Sequence, residues 1–463
     1  MKSSFSWGVI SVALAAASVF PVLAQTPPEP GATPGVALVN ISANAPNQGS
    51  VFPQVAVSRT DPNLVAVSWR RYGLPIDTNA LKEDRLAECH VSISKDGGKT
   101  FTATNMTPYL RTVKQGTEPE LWGCNAPWVT IAKDGTLYMG GALFTAGGLV
   151  QVDPKQGRAG VSVSTDGGAS WSKMAYGINI AHFAPGVTGL NGGMKLEDTP
   201  WDGANGTVDP VTGTFYSTAG AVVSTSDDKG KTFGMVYATG GGTLTAAFGI
   251  AATAHTVTDA TTFPGAKCPC LAFGLSTDKA QTWKQILVAE AGQYNRTGTV
   301  RYPIIASDPA HKGHFAIGVY APDHHSMKVY YTADSGQSWK MAEPRPVPAN
   351  VPVTDVNMSA VGYTSDGRVL LTWRGFRNPG AFNTFVAMIT GDAFGPTVKV
   401  SPELSMYPPL TYGGNYGGGN GGGDFATWVQ GSTLAAFVAF PYMPGGQVEN
   451  TYLARVPLTL LAN

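Results

Sequence analysis

Arginine stands beside aromatic residues at three well-separated places in this chain. They are Trp69-Arg70-Arg71-Tyr72, Arg301-Tyr302-Pro303 and Trp373-Arg374-Gly375-Phe376-Arg377. A guanidinium is a flat fork of donors that matches a carboxylate, with phosphate or sulfate nearly as well suited. If the fold gathers Arg70, Arg71, Arg301, Arg374 and Arg377, the expected ligand is a planar anion, above all a carboxylate. The competing expectation is that each arginine pairs with a nearby Asp or Glu and only braces a loop. Among acid–base candidates, Glu197 and Asp198 stand close to Trp201. A carboxyl against an aromatic wall is raised in pKa and suits a general acid; as a turn or cap carboxylate it would do no chemistry. His90, two residues after Glu88, is a candidate general base or a hydrogen-bond donor between sheets. Asp323, His324 and His325 form a short polar group, and His182 and His255 carry weaker signals.

Whether these groups meet depends on the elements that carry them. Five stretches share a strand-like lead, a Ser or Thr, an Asp, a turn and a closing aromatic. They are SISKDGGKTF (92–101), SVSTDGGASW (162–171), STSDDKGKTF (224–233), GLSTDKAQTW (274–283) and YYTADSGQSW (330–339). Their carboxylates are assigned as Asp96, Asp166, Asp227, Asp278 and Asp334, each accepting backbone N–H bonds across its turn. The fourth copy is degenerate, with Ala280 and Gln281 in place of glycines. A spacing of about 50 to 70 residues marks a repeat architecture. The stretches resemble the Asp-box, or bacterial neuraminidase repeat. That resemblance places each on the turn between the third and fourth strands of a propeller blade, with an architectural role.

Each stretch follows an apolar strand, a turn and a second apolar strand, as in FPQVAVSRTDPNLVAVSWR and APWVTIAKDGTLYMGGA. NMSAVGYTSDGRVLLTWR and GDFATWVQGSTLAAFVAF repeat the pattern without the Asp motif, which brings the units to seven. The predicted fold is all-β: a single propeller of seven four-stranded antiparallel blades, with six as the alternative if the fourth unit is misread. GVALVNIS, near residue 36, is expected to supply the outer strand of the last blade. Residues before first strands and in second-to-third connections then share one mouth of the channel, opposite the Asp turns. This sorting gathers Arg70, Arg71, Tyr72, Arg85, Glu88 and His90 with Asn125, Trp128, Asp198 and Asp202. Arg301, Tyr302, Arg374, Arg377 and Asp424 join them.

Composition bounds the remainder. Lys plus Arg and Asp plus Glu both total 31, so the formal charge is zero and a nucleic-acid partner is not expected. Residues 1–24 read as a secretory signal peptide cleaved near Ala24, residues 25–35 as a flexible leader, and 36–463 as the propeller domain. No later stretch reaches the roughly 18 apolar residues of a spanning helix. A secreted or periplasmic monomer is expected. Four cysteines in an exported chain suit disulfides: Cys89–Cys124 is one candidate pair, and Cys268 and Cys270 are either bridged locally or reduced. The cysteine spacing does not resemble a zinc site, and no dense ligand run marks a metal. No cofactor is expected, with calcium in the channel or a loop as an alternative.

The Asp motifs, the signal peptide and the arginine cleft together resemble the sialidase superfamily. That resemblance implies an exo-glycosidase for a carboxylate-bearing sugar of an acidic glycan. Arg71, Arg301 and Arg374 would form a carboxylate-binding triad, Tyr302 or Tyr320 would be the nucleophile, and an Asp the acid/base. The Arg-Ile-Pro motif of the first blade is replaced by Phe52-Pro53-Gln54. Seven-bladed relatives imply a second reading, a lyase or hydrolase of uronate polysaccharides built on His90, Tyr72 and Arg301. A third is a non-catalytic glycan- or protein-binding propeller of the cell envelope.

Overall fold

The computed structural model describes residues 31–462 apart from 46–47, 74–87, 111–120, 146–156, 188–204, 220–221, 240–242, 260, 291–303, 321–326, 346, 348–354, 379–380, 407–426 and 446–447. Seven antiparallel sheets follow one another along the chain, each starting with its innermost strand. Blades one to five span residues 48–105, 121–179, 205–238, 243–289 and 304–342. Blade six spans 355–406, and its outer edge is broken into three two-residue strands that all pair with Ala381–Thr390. Blade seven takes three strands from 428–457, and its fourth is Ala37–Asn40, paired antiparallel with Asn450–Pro457. The inner strands touch in the order one to seven and back to one, which closes the ring.

Blade faces bury almost every inward side chain, and each of the seven interfaces has its own apolar cluster. Fully buried Trp69, Trp128 and Trp373 anchor three of them. Each large apolar side chain so buried stabilises by roughly 1.5–3 kcal/mol, which fastens a blade to its neighbours.

The five repeat turns lie between third and fourth strands. In the second, the Ser164 hydroxyl donates to Asp166 Oδ1 at 2.8 Å and accepts from the Gly168 N–H at 2.8 Å. The Ser170 N–H and hydroxyl donate to the two carboxylate oxygens of Asp166. The hydroxyl of Ser170, first among these donors, holds the carboxyl far below its usual pKa range. The same bonds recur at Asp96, Asp278 and Asp334. In the third turn the bonded carboxylate is Asp228, which corrects the assignment of Asp227. Asp227 instead accepts from the Thr214 hydroxyl at 2.7 Å and from Lys279 Nζ at 2.5 Å.

The closing aromatic of each repeat packs on the preceding blade: Trp171 joins the blade one cluster and Trp339 that of blade four. The same approach explains a glycine. At Gly168, with φ of +68° just before it at Gly167 and +88° here, a Cβ would strike Ile93 of blade one. Ala280 holds the equivalent place in the fourth repeat at φ +66° and is fully buried, so this junction accepts one methyl.

The chain docks earlier than the expected leader boundary. The Thr33 N–H donates to Lys399 O at 3.0 Å, and the Lys399 N–H returns a bond to the Thr33 hydroxyl at 3.2 Å. Cys268 and Cys270 are bridged to each other, across a cis Cys268–Pro269 peptide. Cys89 is disulfide-bonded; the side chain of its expected partner Cys124 lies outside those described. Among the described residues no helix is long and apolar enough to cross a membrane.

Candidate functional site

The central channel is lined by inner strands of all seven blades, with Gln54, Thr130, Asn205, Thr245, Ser307 and Gln430 among its polar groups, and encloses a cavity of about 90 Å³. One mouth carries the repeat turns. At the other, the first blade brings Arg71, Glu88 and His90 together. Arg71 lies two residues before the end of the strand Val65–Gly73 and is paired in register with Glu88, the first residue of Glu88–Ser94. His90 sits opposite Trp69 in the same ladder.

Side-chain geometry turns that register into a constellation. The His90 ring lies flat on Trp69, with centroids 4.2 Å apart and planes 10° from parallel. The indole N–H donates to the Ser92 hydroxyl at 3.0 Å, which fixes the platform. His90 Nε2 and Glu88 Oε2 are 3.0 Å apart. Burial pushes the His90 pKa down against the opposing pull of Glu88, so the imidazole is neutral near pH 7. Glu88, bonded to His90 first and then beside Arg71, has its pKa lowered and stays ionised.

The Arg71 guanidinium lies over the Trp69 ring at 5.0 Å from its centroid. Its Nε donates to Asn44 Oδ1 at 3.3 Å, one terminal nitrogen to Ser42 O at 3.5 Å, and the other is 3.7 Å from Glu88. All three contacts are longer than the roughly 2.7–2.9 Å of a strong charge-assisted bond. The group is held in orientation by many weak contacts, its side chain is 26% exposed, and donor capacity remains for a ligand.

Asn44 was not anticipated from sequence. It lies in the segment that leaves the outer strand of blade seven and enters the inner strand of blade one. Its N–H donates to Asn450 Oδ1 at 2.7 Å and its amide nitrogen to Glu449 O at 2.8 Å. Behind it, buried Ser42, Ser50, Thr451 and Asn450 form a hydroxyl–amide chain. The ring-closing joint therefore also positions Arg71.

Other anticipated residues separate into three groups. Arg70 is 6% exposed. Arg374 is fully buried with its guanidinium 4.1 Å from the Phe382 centroid, so in this conformation it is closed to a dissolved ligand. Trp128 is a core residue, packed on Gly140 and Gly206, His182 is exposed on a short 3-10 turn, and His255 is buried inside blade four. Arg85, Glu197, Asp198, Asp202, Arg301, Tyr302, Asp323, His324, His325 and Asp424 lie outside the described residues, as do the side chains of Tyr72, Asn125, Tyr320 and Arg377.

At the opposite mouth sequence reasoning passed over a second polar group. Arg59 carries a pKa lowered to about 10 by burial, against the pull of Asp209 and Asp308. Beside Asp308 stand His311 and His314.

No family model matches the chain, and no curated protein does. Among solved structures, a protein of unknown function from Dyadobacter fermentans aligns at 15% identity and a TM-score of 0.48, covering 92% of this chain and all of that one. The Hadza microbial sialidase Hz136 aligns at 12% identity and 0.43, over 89% of this chain and 66% of its own. The Trypanosoma rangeli sialidase in complex with sialic acid aligns at 10% and 0.44, over 92% of this chain and 59% of its own. This chain thus spans less than two thirds of either sialidase. The seven-bladed assignment rests on the strand pairings of the chain itself.

Proposed function

We propose that the protein is a sialidase-like exo-glycosidase acting on a carboxylate-bearing sugar of an acidic glycan, exported after cleavage near Ala24 and working as a monomer. The observation that carries this reading is Arg71: an oriented, weakly engaged guanidinium at the mouth opposite the repeat turns. The turns support it too, since their hydroxyl–carboxylate bonding has the make-up of Asp-boxes. In this reading Arg71 takes the sugar carboxylate with Arg301, Asn125 and Arg377 complete the subsite, and buried Arg70 supports it from within blade one. Arg374 braces the mouth from beneath. Asp198 supplies the acid/base and Tyr302 the nucleophile.

A second reading has one observation of its own. His90 is neutral, oriented by Trp69 and coupled to ionised Glu88, the state a general base for a uronate requires. On that reading the reaction is elimination or hydrolysis in a uronate polysaccharide.

One panel separates the two. The purified chain is offered sialosides with a fluorescent leaving group and uronate polysaccharides monitored for an unsaturated product, with binding followed calorimetrically. Turnover or binding is expected with a free carboxylate and not with its methyl ester. Arg71→Ala is expected to weaken it by about ten- to a hundredfold, the range of one charge-assisted hydrogen-bonding pair. Indifference to the ester or to Arg71 overturns the reading. Binding without turnover leaves a glycan-binding propeller.

A further inference from the structure

We propose that Asp308, His311 and His314 form a site for a first-row divalent cation of the zinc type, on the repeat-turn mouth and separate from the Arg71 constellation. The three residues belong to one tight hairpin between the first two strands of blade five, Ile304–Ser307 and Phe315–Tyr320. The turn is fixed by its own backbone and by the adjoining repeat turn: the Asp308 N–H donates to His314 O at 3.0 Å, and the Ser335 N–H of the repeat turn donates to Gly313 O at 2.9 Å.

The carboxylate has two distinct jobs. Asp308 Oδ1 accepts from the Ala310 and His311 N–H groups at 2.7 and 3.2 Å, which pins the group. Oδ2 is left facing both imidazoles, 2.8 Å from His311 Nδ1 and 3.6 Å from His314 Nδ1. All three ligand atoms lie within 4.8 Å of one another. Two ligands each about 2.1 Å from one cation, at 90–109°, are roughly 3.0–3.4 Å apart, and the two carboxylate–imidazole separations bracket that span.

Donor chemistry selects the metal. Two imidazole nitrogens and one carboxylate oxygen suit Zn²⁺, Co²⁺ or Ni²⁺, whereas Ca²⁺ asks for six to eight oxygens. Calcium, the alternative weighed from sequence, is therefore not the ion for this place. The Asp308 side chain is fully buried, while those of His311 and His314 are 55% and 36% exposed, so the site opens to solvent for entry and for completing waters. Gly367 of blade six closes its inner side: a Cβ there would come within 2.5 Å of both Asp308 Oδ2 and His311 Nδ1. Arg59 is the nearby cation that opposes the metal, itself shared with Asp209. A bound ion would tie the hairpin of blade five into a place overhung by blade six. It would stabilise the ring and take no part at the far mouth.

The test uses the full untagged chain, stripped with chelator and titrated calorimetrically with ZnCl₂, CoCl₂ and CaCl₂. One Zn²⁺ per chain is expected, with visible Co²⁺ absorption bands that Zn²⁺ displaces and with Ca²⁺ bound at least tenfold more weakly. His311→Gln and His314→Gln, both at partly exposed side chains, are each expected to weaken Zn²⁺ at least tenfold and to shift or abolish the Co²⁺ bands. The melting temperature is expected to rise with Zn²⁺ in the wild type and not in the double variant. That double variant leaves His324 and His325 intact, so undiminished Zn²⁺ binding by it assigns the metal elsewhere and overturns the proposal. No binding by the wild type, or Ca²⁺ preferred over Zn²⁺, overturns it equally.

Discussion

His255 offers a prediction whose size follows from its surroundings. It lies on Ile250–Val257 of blade four, 7% exposed, and its Nδ1 has no hydrogen-bond partner among the described residues. Burial alone lowers its pKa from 6.5 to about 4. Between those values the unfolded chain holds a proton that the folded chain refuses. The stability linked to the neutral ring is thus complete above about pH 6.5 and is lost as the pH falls toward about 4. With these two pKa values, proton linkage gives a loss of about 2 kcal/mol between pH 7 and pH 5, approaching roughly 3 kcal/mol by pH 4. Urea unfolding of the wild type, His255→Leu and His255→Gln at pH 7 and pH 5 measures it. Either variant starts from a different baseline, but its fall between the two pH values should be about 2 kcal/mol smaller than that of the wild type. His90, whose pKa is lowered as well, is present in all three proteins and cancels from the difference. If wild type and variants lose stability equally over this interval, His255 does not carry the depressed pKa, and the packing argument for blade four fails.

Asp228→Ala removes the carboxylate that spans the third repeat turn and is expected to cost about 1–2 kcal/mol in chemical denaturation, comparable to loss of a helix cap. Asp227→Ala, which breaks a largely exposed ion pair with Lys279 and one bond from Thr214, should cost under about 1 kcal/mol by the same measurement. Gly206→Ala in an inner strand ordinarily gains a little by restricting the unfolded chain. Here its Cβ would enter the buried ring of Trp128, so a loss of about 1–3 kcal/mol is expected, read as a lowered melting temperature. Asn44→Ala removes the amide bond to the buried Glu449 carbonyl and should lower the melting temperature modestly, while weakening acidic-glycan binding severalfold because it loosens Arg71 without touching the ligand.

The fold was legible because its signals are local. Each repeat closes its turn's hydrogen bonds within seven residues, so Ser164, Asp166, Gly168 and Ser170 announce their turn without reference to the rest of the chain. The one misassigned carboxylate had a readable cue as well. The bonded Asp stands four residues before the hydroxyl that returns to it, and counting back from Thr232 reaches Asp228. Asp308, His311 and His314 were equally close in sequence, but the stretch DPAHKGH reads first as a hairpin turn. Only the direction of Oδ2, set by which oxygen the backbone occupies, shows that both imidazoles face it.

The candidate site obeys a different logic, which is why half of it was visible. Arg71, Glu88 and His90 could be grouped in advance because antiparallel pairing brings the end of one strand to the start of the next. Their partners come from the far end of the molecule: Asn44 is held by Asn450 and Glu449, more than 400 residues away in sequence. That contact exists only once the ring has closed through Ala37–Asn40. The consequence is physical. An arginine whose polar contacts to Asn44, Ser42 and Glu88 sit at 3.3 to 3.7 Å depends on the closed ring for its orientation, so any change that loosens the joint of blades seven and one is felt at the mouth before it is felt in the interior clusters. Fraying at Ser42, Ser50 and Thr451 would therefore lower ligand affinity while most blade interfaces stay intact.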